Sequence, residues 1–229
     1  MGIARTGVWD RLQLHDSARD GGKAMRSDRP VVYVLDDDRR IRESLSALLS
    51  SAGHEVVTFS NAGEYLAFQR PDAPACLILD LDLPGMTGLE LQTKLADVGG
   101  PPIVFLTGHG DIPSTVKAMK AGATEFLSKP FEPEELLRAI DAAIHLDGEL
   151  RLKNAELSGI RKRYSLLTPR EREVLPYVVS GLLNKETAWE LGTSEITIRI
   201  HRGQIMRKMA AQSLADLVRM AGKLGIPKS

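Results

Sequence analysis

The chain has 229 residues, 43% of them hydrophobic and 26% charged, which suits one large domain or two ordinary ones and excludes wholesale disorder. It has no apolar run approaching the ~18 residues of a membrane span and no apolar signal core. The single cysteine, Cys76, excludes a disulfide framework and any multi-cysteine metal site, so a cytoplasmic protein without membrane contact is expected. Thirty basic residues balance thirty acidic ones, but unevenly. Residues 30–146 hold 9 basic against 17 acidic residues, net −8, whereas residues 166–229 hold 10 against 6, net +4. That order suggests cation chemistry first and polyanion binding second.

Residues 1–29 contain Gly21-Gly22, scattered charge and little periodicity. They are expected to be a disordered arm, or to derive from an upstream start codon with Met25 as the later alternative. Short continuous apolar runs then recur at Val31–Leu35, Glu55–Phe59, Ala75–Leu79, Ile103–Leu106 and Thr124–Leu127, as buried parallel strands do. Helical patterns lie between them. Ile41, Leu45, Leu48 and Leu49 share a face, and Leu89, Leu91 and Leu95 make a weaker one. Val116 and Met119 precede Gly122, and Glu134 to Ile144 follow Pro133. The alternation predicts a doubly wound, flavodoxin-like sheet of five parallel strands in the order 2-1-3-4-5, over residues 30–146.

The polar residues fall at the carboxyl ends of these strands, where open α/β sheets bind ligands. Asp36 and Asp37 follow the first run, and Asp80, Thr107 and Lys129 end the third, fourth and fifth. Strands one and three are neighbours in that order, so Asp36, Asp37 and Asp80 converge. Three gathered carboxylates repel unless one is protonated or a divalent cation joins them. An all-oxygen set favours Mg²⁺ over zinc. His54 and His109 have no clustered metal partners, and Cys76 reads as an inert core residue.

Residues 31–131 resemble a response-regulator receiver domain of two-component signalling. The resemblance rests on Val31-Val-Tyr-Val-Leu-Asp-Asp-Asp, on LILDLDLPGMTG, and on TGHGDIPSTVKAMKAGATEFLSKPF, which is very similar to the FixJ-type subgroup. It implies that Asp80 accepts a phosphoryl group, since Pro84 stands four positions later, as after the family's acceptor. It implies that Asp36, Asp37, Asp80 and the main-chain carbonyl of Asp82 hold Mg²⁺. Thr107 becomes the switch hydroxyl, Phe126 the rotating aromatic and Lys129 the phosphoryl-binding ammonium, and Lys129–Pro130 is similar to the family's cis peptide. Asp38 takes a variable acidic position outside this set.

Residues 147–165 read as a helical linker. Leu146, Leu150, Lys153, Leu157, Ile160, Tyr164 and Leu167 are spaced 4, 3, 4, 3, 4, 3, a heptad-like stripe. It either pairs with a second subunit or lies against its own domains. Residues 166–229 follow as helices. Thr168-Pro169-Arg170-Glu171 starts the first with a capping box, and Gly181 ends it. Asn184 caps a second helix that Gly192 stops. Ser194 caps a third to about Met209, with Ile198, Ile205 and Met209 as its apolar stripe, and Ser213 caps a fourth through Met220. Pro176 inside the first helix is expected to cost a hydrogen bond and cause a kink. A basic helix after a tight glycine turn suggests helix-turn-helix.

The segment LTPREREVLPYVVSGLLNKETAWELGTSEITIRIHRGQIMRKM resembles the LuxR/NarL-type DNA-binding domain. The resemblance places the third helix in the major groove, with Arg199 and Ile200 at base edges and Lys185 near a phosphate. Gly203 departs from a pattern that usually carries a longer polar or basic side chain there; Arg202 and Gln204 are the residues that could compensate. The two resemblances together imply a non-enzymatic transcriptional regulator, an activator by its FixJ-like kinship. Its implied partners are a sensor histidine kinase, promoter DNA, RNA polymerase and, once phosphorylated, a second copy of itself. An enzyme is the competing class, because Asp80-Leu-Asp82 is also similar to the nucleophile motif of haloacid-dehalogenase phosphatases. Against it, Asp36-Asp37 comes first and no cap insertion is present. A receiver whose helical domain binds protein is the third reading.

Overall fold

The structure is a computed structural model that describes residues 29–108 and 112–227. The expectations for the N-terminal arm before residue 29 and for His109 lie outside the described residues. The first half alternates β1 (Val31–Leu35), α1 (Arg39–Ser51), β2 (Glu55–Phe59), α2 (Ala62–Ala67), β3 (Ala75–Asp80), α3 (Gly88–Val98), β4 (Ile103–Thr107), α4 (Ile112–Lys120) and β5 (Glu125–Ser128). The strands form one parallel sheet in the order β2-β1-β3-β4-β5. β1 and β3 run side by side with Val31 opposite Ala75 and Leu35 opposite Leu79, so residues 36 and 80 leave the sheet together.

Alternate side chains of each strand serve opposite layers. Tyr33, Leu35, Leu77, Leu79 and Phe105 pack on one side with Leu91 and Leu95 of α3 and Tyr65 of α2. Tyr33, Phe59, Tyr65 and Phe68 form an aromatic cluster there, with centroids 5.3–6.2 Å apart. Val32, Val34, Cys76, Ile78 and Val104 face Leu45 and Leu49 of α1 and Leu136 and Ile140 of the next helix on the other side. Cys76 is a core residue as expected, its thiol pKa pushed up by burial. Each such fully buried aliphatic or aromatic side chain contributes about 1.5–3 kcal/mol.

The next helix, α5 (Pro133–Ser165), is 33 residues long. It begins as the last helix of the sheet domain and runs unbroken through the whole linker, passing Gly148 and Gly159. At its midpoint the buried Asp147 accepts hydrogen bonds from the Ala75 amide (2.8 Å) and Arg151 Nε (2.6 Å), and Arg151 Nη1 donates to Asp72 (2.6 Å). These contacts fasten α5 to the start of β3. The predicted stripe divides. Leu146 and Leu150 are exposed, while Ile160 and Leu167 are buried in the core of the second domain.

That domain comprises α6 (Pro169–Val179), α7 (Asn184–Glu190), α8 (Glu195–Met209) and α9 (Leu214–Lys223). Thr168, Ser194 and Ser213 cap α6, α8 and α9 as the sequence predicts, and Thr168 with Glu171 makes the capping box. Asn184 is a correction. It is the first residue of α7 rather than its cap, and its Oδ1 instead accepts from Arg202. α9 also runs three residues beyond the predicted Met220. Pro176 lies inside α6 as expected. Val174, Val178, Ile198, Ile205, Met209 and Leu217 form the core, and Lys223 of α9 pairs with Glu156 of α5.

Candidate phosphorylation site and nucleic-acid interface

The parallel register of β1 and β3 brings Asp36, Asp37 and Asp80 together. One carboxylate oxygen from each lies within 4.8 Å of the others. Asp36 and Asp80 are buried and Asp37 is exposed. Lys129, just past β5, reaches across the strand ends to Asp36 Oδ2 at 2.7 Å and to Asp80 Oδ2 at 3.5 Å. It is held there by its own amide, which donates to the Thr107 carbonyl at 2.7 Å, and it is followed by a cis Lys129–Pro130 peptide.

One ammonium faces three carboxylates, so the pocket carries surplus negative charge. Burial pushes the Asp80 pKa up; Lys129 opposes that and Asp36 adds to it, and the net shift is upward. For Lys129 burial pulls downward, but the hydrogen bond it donates to Asp36 and the two neighbouring charges outweigh it, and its pKa rises. The Asp82 main chain also hydrogen-bonds Asp80. The oxygen-rich set and the uncompensated charge fit a hard divalent cation.

Two neighbouring devices carry no sequence signal of their own. Arg42 of α1 donates from Nη1 to the main-chain carbonyls of Asp36 (2.7 Å) and Asp37 (2.9 Å), fixing the acidic turn. Gly88 at the start of α3 is sterically required. A Cβ there would stand 2.6 Å from the Asp80 carbonyl oxygen and 2.9 Å from Phe105. Asp38, outside the predicted set, is the N-cap of α1 and accepts from the Arg40 amide at 2.7 Å. Thr107 is fully buried at the end of β4, and Phe126, half-buried, packs on Phe105 at 6.1 Å.

In the helical domain, Ile198 of α8 is fully buried while Arg199 and Ile200 are exposed, as is Lys185 on α7. Arg202 turns inward instead, donating to the Leu182 carbonyl (3.3 Å) and to Asn184 Oδ1 (3.2 Å). Lys208 also points inward, to Glu171 at 2.9 and 2.7 Å. Burial raises the Glu171 pKa, but Lys208 and the Thr168 amide dominate and hold it low.

The model of the response regulator receiver domain matches residues 32–141, and that of bacterial regulatory proteins of the luxR family matches residues 165–221. The chain belongs to the response regulators with a LuxR-type effector domain. Nodulation protein W of Bradyrhizobium diazoefficiens is 48% identical over 207 residues, 90% of this chain and 91% of that protein. Transcriptional regulatory protein FixJ of the same organism is 40% identical over 196 residues, 85% and 96% of the two chains. The solved structure of the response regulator StyR is 48% identical, with a TM-score of 0.75, covering 85% of this chain and 99% of that one. The receiver carries the predicted five-stranded topology and the effector the predicted helices, and among the described residues no helix is long and apolar enough to cross a membrane.

Proposed function

We propose that this response regulator accepts a phosphoryl group on Asp80 from the phosphohistidine of a sensor kinase and thereby controls binding of α8 to promoter DNA. The observation that carries this is the buried Asp80 carboxylate flanked by Asp36, Asp37 and the Lys129 ammonium. In the transfer, an Asp80 oxygen attacks phosphorus, the P–N bond to the donor imidazole breaks, and an acyl phosphate forms. Asp36, Asp37, Asp80 and the Asp82 carbonyl would hold Mg²⁺, which supplies charge neutralisation at the phosphoryl oxygens. Lys129, held against Asp36 and Asp80, neutralises further phosphoryl charge. The receiver acts on itself alone and turns over no other substrate.

The product adds about −1.5 to −2 charges if it behaves like other phosphoryl groups. Thr107, at the end of β4, donates to a phosphoryl oxygen and draws its loop inward. Phe126 then moves into the space released, and the packing of α4 and β5 shifts between two states. The shift favours a second copy, and a dimer reads paired half-sites. Arg199 and Ile200 meet base edges, Lys185 a phosphate, and Arg202 positions the turn before α7. Residues 30–146, 147–165 and 166–229 act as receiver, linker and effector, and the bound dimer contacts RNA polymerase as an activator.

Acetyl phosphate with Mg²⁺ is expected to add one phosphoryl group, read as a mass increase that Asp80→Asn eliminates. Undiminished labelling of that variant would remove Asp80 from the role. Hydrolysis of a generic phosphomonoester at catalytic rates would favour the phosphatase reading instead.

A further inference from the structure

The outer face of α8 is unusual for a helix in a basic domain. Its inward stripe is Ile198, Ile205 and Met209, all fully buried. Opposite them, Ile196, Ile200, Gly203 and Arg207 are spaced four, three and four apart, which places them on one face. All four are exposed, Ile196 at 61% and Ile200 at 57%. The face is therefore apolar from Ile196 to Gly203, Arg207 closes its C-terminal end, and Arg199 lies at its side.

Gly203 sits in the middle of this face, and the fold does not require it. A Cβ added there meets nothing within 4 Å, and its backbone is in the helical region open to any residue. A glycine in a helix interior weakens that helix relative to alanine. What the missing side chain provides is clearance, letting the helix backbone approach another surface closely.

We propose that Ile196 and Ile200 recognise thymine methyl groups in the major groove, with Gly203 providing the close approach that contact requires. The inference rests on the reading of α8 as the DNA-reading helix and names what that helix reads. In the major groove thymine alone presents a methyl group, and apolar side chains are its complement. Isoleucine is stiff at χ1, so two of them one helical turn apart present fixed apolar surfaces. The flanking arginines and the +4 charge of residues 166–229 complement phosphates, which favours a nucleic acid over an apolar protein groove as the occupant.

The test uses the full chain treated with acetyl phosphate and Mg²⁺. A pool of random-sequence duplexes is selected, and the enriched half-site is expected to contain recurrent thymines. Replacing each by deoxyuridine removes only the methyl, and affinity is expected to fall about fourfold at each contacted position. In Ile200→Ala the same replacement at its position is expected to have no further effect. Gly203→Ala is expected to raise Tm by a few degrees yet lower affinity for the enriched duplex roughly tenfold, a split that a purely structural role would not give. An enriched site indifferent to uracil overturns the methyl reading and leaves DNA binding standing. A pool with no enrichment overturns both and assigns the isoleucine face to a protein partner.

Discussion

Among the described residues, each domain holds a part-buried lysine against a buried carboxylate, and the two are put to opposite uses. In the effector, Lys208 meets both oxygens of Glu171, and the Thr168 amide adds a third hydrogen bond at 2.7 Å. One positive charge meets one negative charge, and nothing is left over. In the receiver, Lys129 divides its ammonium between Asp36 and Asp80 while Asp37 stands beside them. Negative charge is in excess there, which fits a divalent cation. A balanced pair holds a helix in place; an unbalanced one leaves charge for a cation to neutralise.

The largest expected effect tests the unbalanced site. Asp37→Asn removes an exposed carboxylate without disturbing the core, and should slow phosphorylation by acetyl phosphate at fixed Mg²⁺ on the order of 100-fold, followed by intact-protein mass spectrometry. The balanced pair comes next. Glu171→Gln leaves the half-buried Lys208 without its counter-charge and should cost the effector about 2–4 kcal/mol in urea unfolding, with the receiver transition unmoved.

The two sites also predict opposite responses to acid. Glu171 has a lowered pKa in the fold, so its contribution is complete above its unfolded value of about 4.3 and is lost as pH falls through the folded value. Effector stability should drop there, and Glu171→Gln should flatten the profile. Asp80 has a raised pKa, so its contribution is present below the unfolded value of about 3.9 and is lost as pH rises through the folded one. Its ionised form therefore weakens the empty receiver near neutrality. Asp80→Asn should raise the receiver Tm by a few degrees at pH 7, with the gain shrinking on acidification, in calorimetric scans without Mg²⁺. An unchanged Tm would mean that the excess charge is already relieved.

The parts legible in the sequence are those with local signals. β1 begins and ends where its apolar run does, because a strand buried on both faces leaves no room for polar residues. β2 keeps its predicted bounds too, although it is an edge strand with Glu55 and Thr58 exposed. β3 and β4 each extend one residue past the predicted run, to Asp80 and Thr107, the polar residues that form the site. α6, α8 and α9 start at their capping residues because a side chain within three positions satisfies the free amides. The convergence of Asp36, Asp37 and Asp80 was legible because topology alone places adjacent strand ends together.

What escaped is non-local. Asp147 joins Ala75 across 72 positions and Lys208 joins Glu171 across 37, and no periodicity marks either partner. Glu171 forms half of the capping box that the sequence marks, but a carboxylate has lone pairs enough for a second role. Lys208 and Arg202 belong to the basic helix α8, yet both turn toward their own domain. The heptad-like stripe gave no sign that its second half would be covered by α6 and α8 rather than by another chain.

The unbroken α5 has a consequence for how a message crosses the molecule. A rod of 33 residues is ~50 Å long and transmits torsion as well as displacement. Fastened to β3 through Asp147 and embedded in the effector through Ile160, it behaves as a drive shaft with no universal joint. The compass bearing of one module relative to the other is then set by the number of residues between those anchorages. Two extra residues would swing the reading head by ~200°, whereas a whole extra turn would leave its heading nearly as before.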